Sequence, residues 1–465
     1  MERNNTWKTY SQDELMAVEQ INNSYKTCLD EGKTERECVK VTVRMLEERG
    51  YKSLDSMIEE GAALKAGDKV YAVCMGKSVV AFHIGSRPLE HGMNILGAHI
   101  DSPRIDVKQN PLYENEELSY LDTHYYGGIK KYQWVTLPLA LHGVVAKKDG
   151  SLVEIHIGDK EEDPVFAVTD LLVHLASKQM EKKANAVIEG EKLDLLFASR
   201  PVKNDDSLDK EEKEAVKANV LHLLEASYGI SEEDFVSAEL EIVPAGNARD
   251  CGIDRSMIMA YGQDDRVCAF TSLFALLDVE KVEKTACCIL VDKEEIGSVG
   301  ATGMHSRFFE NVLAELVALA GDASDLRVRR ALQNSKMLSS DVSAAYDPMF
   351  AETFEKRSSA FFGKGLVFNK FTGSRGKSGS NDANAEYLAQ IRRTMDTKNV
   401  SYQFAELGKV DAGGGGTIAY IMANYGMEVI DSGVAVLCMH APWEITSKAD
   451  VYEAYKGYKA FIEEM

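Results

Sequence analysis

Two histidines and several carboxylates in this chain directly follow short apolar runs. Residues 93–98 (MNILGA) lead into His99-Ile100-Asp101, and residues 286–291 (ACCILV) into Asp292-Lys293-Glu294-Glu295-Ile296-Gly297. Residues 336–339 (KMLS) lead into Ser340-Asp341, and residues 434–439 (VAVLCM) into His440. A further acidic pair, Asp264-Asp265, opens an apolar helical stretch after Tyr261-Gly262. Singly, each fragment is ordinary: a strand-end His is usually satisfied by backbone, and paired glutamates are usually a solvated surface. Jointly they form a set of imidazoles and carboxylates, a donor mixture suited to Zn²⁺, with Mn²⁺ and Co²⁺ as alternatives. Two metal ions about 3.5–4 Å apart need one shared carboxylate, plus a His and a carboxylate for each ion. Asp101, two residues beyond His99, can accept the second ring N–H of that histidine and set its tautomer. Neighbouring side chains in the Glu294-Glu295 pair diverge, so one can hold metal while the other serves as a general base.

Such groups act together only if the fold brings them to one place. In open α/β sheets, ligands bind beyond the carboxyl ends of the strands, and the four runs are expected to end at one such edge. Helical stretches over 266–277 and 311–319 separate them. This alternation predicts an α/β fold with a mainly parallel sheet covered by helices. The first fifty residues read as helices with capping boxes at Ser11–Glu14 and Thr34–Glu37, and residues 69–84 read as a hairpin around Met75-Gly76-Lys77. From about residue 106 to 243 the pattern changes to strand-like segments (134–141 and 152–157) and a charge-dense stretch at 203–217, read as a solvated helix or loop. The expected organisation is a catalytic domain in two parts, 1–105 and 246–465, with a mostly β domain inserted at 106–245.

Composition sets the context. Length alone (465 residues) predicts two to three domains. Fifty-three Lys+Arg against 74 Asp+Glu gives a formal charge of −21, which argues against a nucleic-acid or anionic-membrane partner. The eight cysteines form no C-x-x-C pair and several lie in apolar runs, as expected in a reducing compartment. No apolar run approaches the ~18 residues of a membrane span, and the N-terminal residues show no secretory h-region. The expectation is a cytoplasmic globular protein.

The segments GAHIDSPR, AYGQDDRVCAF, DKEEIGSVGATG, SSDVSAAYDP, SGSNDANAEY and MHAPWE resemble, in order, the motifs of the aspartyl aminopeptidase and vacuolar aminopeptidase I family of co-catalytic zinc exopeptidases. The resemblance runs from about residue 10 to the C-terminal helix. It implies an aminopeptidase with two divalent ions, zinc first, in which His99, Asp264 and Asp341 hold one ion. Asp264, Glu295 and His440 would hold the other, with Asp264 shared. Glu294 matches the general base that takes a proton from the attacking metal-activated water, and Asp101 matches the residue that orients His99. Asp264 rather than Asp265 is expected to bridge, with Asp265 facing away from the metals. The substrates implied are peptides with a free N-terminus, beginning with an acidic or an apolar residue. Also implied are a dodecamer built from dimers through the inserted domain, and a donor role for His174 in the active site of a neighbouring subunit. By base rate, His174 would instead be a half-buried helix histidine.

Other readings of these segments are weaker. Lys370 or Arg375 could pair with an acidic substrate side chain, or be surface residues. The Gly413–Gly416 run could hold substrate main chain against the site, or be a plain loop. Gly373–Ser378 does not make a phosphate-binding loop: Phe371 stands where the first glycine is required, and no buried strand is expected to lead in. Two further functions share the donor set or the fold: a dinuclear deacylase or carboxypeptidase, and a non-catalytic assembly or cargo protein. The unliganded Glu294 argues against the latter.

Overall fold

In a computed structural model that describes residues 4–202, 214–321 and 323–465, the chain divides into two compact units. The first comprises Met1–Ser102, Ala248–Met439 and Glu444–Met465; the second comprises Pro103–Asn247 and His440–Trp443.

The first unit is built on a nine-stranded sheet whose central strands, Thr285–Val291, Met93–His99, Lys336–Ser340 and Glu428–Gly433, run parallel. A hairpin of Lys69–Cys74 and Ser78–His83 joins one side antiparallel, as the sequence predicts. A parallel sheet is covered on both faces, so its strands are apolar throughout rather than alternating. Every residue of Thr285–Val291 and Met93–His99 is accordingly buried. Side chains alternate between the faces. Leu96 and Ala98 pack with residues of the helices Gln12–Glu31, Gln263–Leu277 and Lys448–Glu464, while Met93 and Ile95 pack with those of Phe308–Leu319 and Asp325–Gln333. Both N-terminal capping boxes form: Ser11 and Thr34 each accept from the backbone N–H three residues on, and Glu14 and Glu37 return the bond.

One strand is placed differently from the sequence reading. The run 434–439 is not a strand of the large sheet. That place belongs to Glu428–Gly433, and Ala435–Leu437 lies in a separate five-stranded sheet with Ser343–Ala344, Glu444–Ser447, Met257–Ala260 and Arg249–Cys251. The two segments that follow Lys336–Ser340 and Glu428–Gly433 leave the large sheet together. Asp341 donates to the Ser432 carbonyl at 2.8 Å, Ser343 to Val434 at 2.9 Å, and Ala345 to Val436 at 2.9 Å. Gly433 makes this crossing possible, because a Cβ there would stand 1.9 Å from the Asp341 carbonyl oxygen.

The second unit carries a six-stranded, wholly antiparallel sheet in the order Leu152–Ile157, Leu139–Ala146, Ala238–Pro244, Arg104–Asn115, Leu118–Tyr126, Leu195–Ala198. The strand expected from residue 134 begins only at Leu139. Pro138 has no N–H for a ladder, and Trp134 instead closes a short turn, Lys131–Gln133, with its ring fully buried. Of the charge-dense stretch, residues 203–213 lie outside the described residues, and its last part enters the helix Ala215–Tyr228.

Candidate metal centre

The site in the first unit is assembled at the carboxyl ends of the parallel strands. His99 is the last residue of its strand and is 1% exposed. Its Nδ1 donates to the Asp101 carbonyl oxygen at 3.0 Å and lies 3.3 Å from the Asp101 carboxylate. Nε2 is then the nitrogen that offers a lone pair when the ring is neutral, as it would be on a bound metal, and it lies 3.3 Å from Asp264 Oδ1 and 4.0 Å from Glu294 Oε2. Burial alone would lower the pKa of this imidazole. The Asp101, Asp264 and Glu294 carboxylates outweigh that and hold it well above its ordinary value.

Asp101 does more than the spacing suggested. Its carboxylate also accepts the backbone N–H of Glu294 at 3.1 Å and of Glu295 at 3.2 Å, one on each oxygen. The residues after Thr285–Val291 turn sharply, with Lys293 at φ +69°, into a short 3-10 turn at Glu294–Ile296. A turn of this kind leaves its first N–H groups without backbone partners, and Asp101 satisfies two of them. One buried carboxylate therefore ties His99 to the glutamate pair. The two glutamate side chains are both partly buried, Glu294 at 15% side-chain exposure.

The acidic pair sits where the helix Gln263–Leu277 begins. Gly262 precedes it at φ +69°, where a Cβ would meet the Arg266 guanidinium at 2.3 Å. Asp264 and Asp265 have non-helical backbone angles, so the two side chains do not take the directions that helical neighbours would. Asp265 does not face away, contrary to expectation. It is fully buried, and ligand atoms of His99, Asp265 and Asp341 lie within 4.8 Å of one another, as do those of His99, Glu294 and Glu295. Burial, more than the facing Asp264 charge, drives the Asp265 carboxyl well above the carboxylate range, and His99 opposes this. Asp341 is raised likewise by burial and then by Glu294, Asp265 and Asp264.

These carboxyls around one imidazole carry more negative charge than one protonated ring offsets. Without a counter-charge they are pushed toward the neutral form, and a divalent cation is the group that would hold them ionised. The donor set and the His99 tautomer both fit such an ion.

Of the remaining candidates, His440 belongs with the second unit. Its backbone is left-handed (φ +64°), and its Nδ1 donates to the Gly128 carbonyl at 2.8 Å, which again leaves Nε2 as the nitrogen able to ligate. His174 lies in the same unit on a short turn, Val173–Leu175. It is exposed rather than half buried in a helix, so the base-rate reading of it fails. Lys370 lies 3.9 Å from Asp382, which also takes Lys377 at 2.8 Å, and Arg375 is in an exposed turn. A buried strand, Leu366–Asn369, does lead toward Gly373–Ser378, contrary to expectation. The segment nonetheless folds back on itself through Ser374 and Ser378, and the next helix starts only at Ala385, so no phosphate cradle forms. The resemblance assigns Asp264, the first of the acidic pair, and leaves Asp265 aside; the non-helical backbone of the pair turns Asp265 inward as well. Glu444, the last residue of MHAPWE, carries no role that spacing reveals; its carboxylate accepts the Asp264 N–H at 2.9 Å.

A covered parallel sheet with buried imidazole and carboxylates at its carboxyl edge belongs to a class of protein able to hold a divalent metal ion. Comparison with known proteins makes the class specific: the family described as Aminopeptidase I zinc metalloprotease (M18) matches residues 28–462, and the chain belongs to it. A relative from Clostridium acetobutylicum, named a probable M18 family aminopeptidase 1, is 59% identical over 461 residues, covering 99% of this chain and 98% of that one. A crystal structure of an M18 aminopeptidase from Thermotoga maritima superposes with a TM-score of 0.94 at 45% identity and full coverage of both chains. A solved structure described as an S. cerevisiae aminopeptidase dodecamer shares the fold at 20% identity, with a TM-score of 0.75, covering 94% of this chain and 95% of that one. This protein is thus a metal-dependent aminopeptidase, a hydrolase of peptide bonds in a zinc family. No helix among the described residues is long and apolar enough to cross a membrane.

Proposed function

We propose that the enzyme uses two divalent ions, zinc in the first instance, to remove single residues from peptides with a free N-terminus. His99, Asp264 and Asp341 would hold one ion; Asp264, Glu295 and His440 would hold the other, with Asp264 shared. The observation that carries this reading is the buried His99 Nε2, 3.3 Å from Asp264 and grouped with four further carboxylates. Bound ions of this kind polarise the scissile carbonyl and bring the pKa of a water toward ~7.

The chain's own part is proton handling and orientation. Glu294, partly exposed like Glu295 and Asp341, lies 4.0 Å from His99 Nε2, and takes the proton from the attacking water and passes it to the leaving amine. Asp101 orients the base and a metal ligand together, holding the backbone of Glu294 and the ring of His99. The N-terminal residue accepted is acidic or apolar.

Self-association is the second part of the proposal. The second unit exposes an apolar run, with Leu171 at 48%, Leu172 at 54%, Val173 at 74% and Leu175 at 67% exposure. A run of this kind is a contact surface for another protein chain, here a second copy, and its His174 would reach the neighbouring subunit's site as a hydrogen-bond donor. Dimers formed this way would build a dodecamer, the assembly named in the description of the yeast structure. Cysteines used as small buried core residues, such as Cys268, Cys287 and Cys288, support a reducing, cytoplasmic setting.

Hydrolysis of free and N-acetylated peptides, with and without a chelator, tests the activity, and metal analysis tests the count. Cleavage of free peptides alone, abolished by chelation, with two ions per chain, is the expected result. Equal cleavage of acetylated peptides, or one ion at saturation, would overturn it.

A further inference from the structure

Asp264 is asked to hold its carboxylate in a fixed place while its own backbone departs from the helix it begins. With φ −81° and ψ 107°, and Asp265 at φ −113° and ψ 26°, its peptide groups lie outside the regular helical ladder. Buried peptide groups need partners from elsewhere. Two side chains supply them: the Asp264 N–H donates to Glu444 Oε2 at 2.9 Å, and the Asp264 carbonyl accepts from Ser102 Oγ at 2.8 Å. Glu444 is 1% exposed and Ser102 is fully buried.

The clasp is itself anchored. Glu444 opens the strand Glu444–Ser447 opposite Ala260, and its carbonyl accepts Gln263 Nε2 at 2.7 Å. Gln263 Oε1 in turn accepts from Thr446 Oγ1 at 2.6 Å and from the Tyr25 hydroxyl at 3.3 Å. Ser102 directly follows Asp101, so the residue that ties His99 to the glutamates and the residue that grips Asp264 are chain neighbours. A carboxylate acceptor makes a charge-assisted bond, roughly twice as strong as a neutral one.

We infer that Glu444 is a positioning residue for the metal centre, holding the Asp264 carboxylate in place through its backbone N–H, with Ser102 as the opposing half of the clasp. The inference rests on the two-ion reading above, and the test separates the two. Metal-free wild type, Glu444→Gln, Glu444→Leu and Ser102→Ala are titrated with Zn²⁺ against a chromophoric chelator. Thermal midpoints are recorded with and without metal. Glu444→Leu loses the acceptor and should bind zinc about 10–100-fold more weakly, the usual effect of removing such a support. Glu444→Gln still presents an oxygen to the N–H and should stay within about fivefold of wild type. A residue that merely stabilised the fold would lower both midpoints equally, whereas a positioning residue shrinks the rise that zinc produces.

Wild-type affinity in folded Glu444→Leu, or a loss as large in Glu444→Gln as in Glu444→Leu, would overturn the inference. If Glu444→Leu does not fold, Ser102→Ala carries the test, and an unchanged zinc affinity there overturns it. A wild-type chain that binds no zinc would instead remove the two-ion reading itself.

Discussion

Asp101→Asn is the most informative single change, because it keeps the shape of the side chain and removes one acceptor. The carboxylate accepts two backbone N–H groups, from Glu294 at 3.1 Å and Glu295 at 3.2 Å, while facing His99 Nδ1 at 3.3 Å. An amide has one oxygen, so one N–H must then face an NH₂ group in a fully buried position. Leaving a buried donor unpaired costs about 1–3 kcal/mol, and at ~1.4 kcal/mol per tenfold this corresponds to roughly 5–150-fold. Since the bonds orient the proposed base and the proposed ligand glutamate, the loss should fall on zinc affinity and kcat together, with KM changed far less. Zinc titration of the metal-free variant and steady-state hydrolysis of a free-N-terminus peptide at saturating zinc measure the two. Wild-type values of both in a variant with a native thermal midpoint would refute the argument that Asp101 orders the site.

Other outcomes test separate links. Glu294→Gln should keep its metal and lose about 10²–10⁴ in kcat, whereas Glu295→Gln should lose metal; the reverse pattern by metal analysis would exchange their roles. Asp265 lies with His99 and Asp341, so Asp265→Asn should weaken zinc binding as Asp264→Asn does, with the larger loss at Asp264; full retention of zinc by Asp265→Asn would contradict the geometry. Burial raises the Asp431 carboxyl to about 7, although Thr417 donates to it. Its contribution to stability is therefore complete at pH below ~3.8 and declines as pH rises to about 7, by at most ~1.4 kcal/mol per unit. Asp431→Asn should flatten the fall in thermal midpoint across that window, and an unchanged slope would be the contrary result. Mixing inactive His174→Ala and Glu294→Gln subunits should restore activity if His174 serves a neighbour's site; proven exchange without recovery would return it to a surface residue.

Much of the large sheet was legible because a parallel strand covered on both faces must be a short, unbroken apolar run. Thr285–Val291 and Met93–His99 could be read in this way, and Lys336–Ser340 from Met337-Leu338 alone; the polar residues at their ends drew attention to the site. The strand Glu428–Gly433 was missed because it carries Glu428, Asp431 and Ser432, while the more apolar run after it drew the assignment. Which of two adjacent strands joins which sheet depends on partners distant in the chain, such as the Asp341 and Ser343 N–H groups on Ser432 and Val434.

The sequence by itself determined the chemistry: residue types suited to metal, their order along the chain, and the helical and strand periods that carry them to strand ends. Those properties are local, written in side-chain identity and in periods of 2 and 3.6 residues. Tertiary structure alone decided the directions. Asp265 turns inward because its backbone leaves helical geometry beside Gly262, and Asp101 serves the glutamates as well as His99 because a strand end far along the chain turns its N–H groups toward it. Glu444 meets Asp264 because two strands pair antiparallel at Ala260. A hydrogen bond is made or lost within a few tenths of an ångström, and spacing in the sequence does not specify distance at that scale between residues so far apart in the chain.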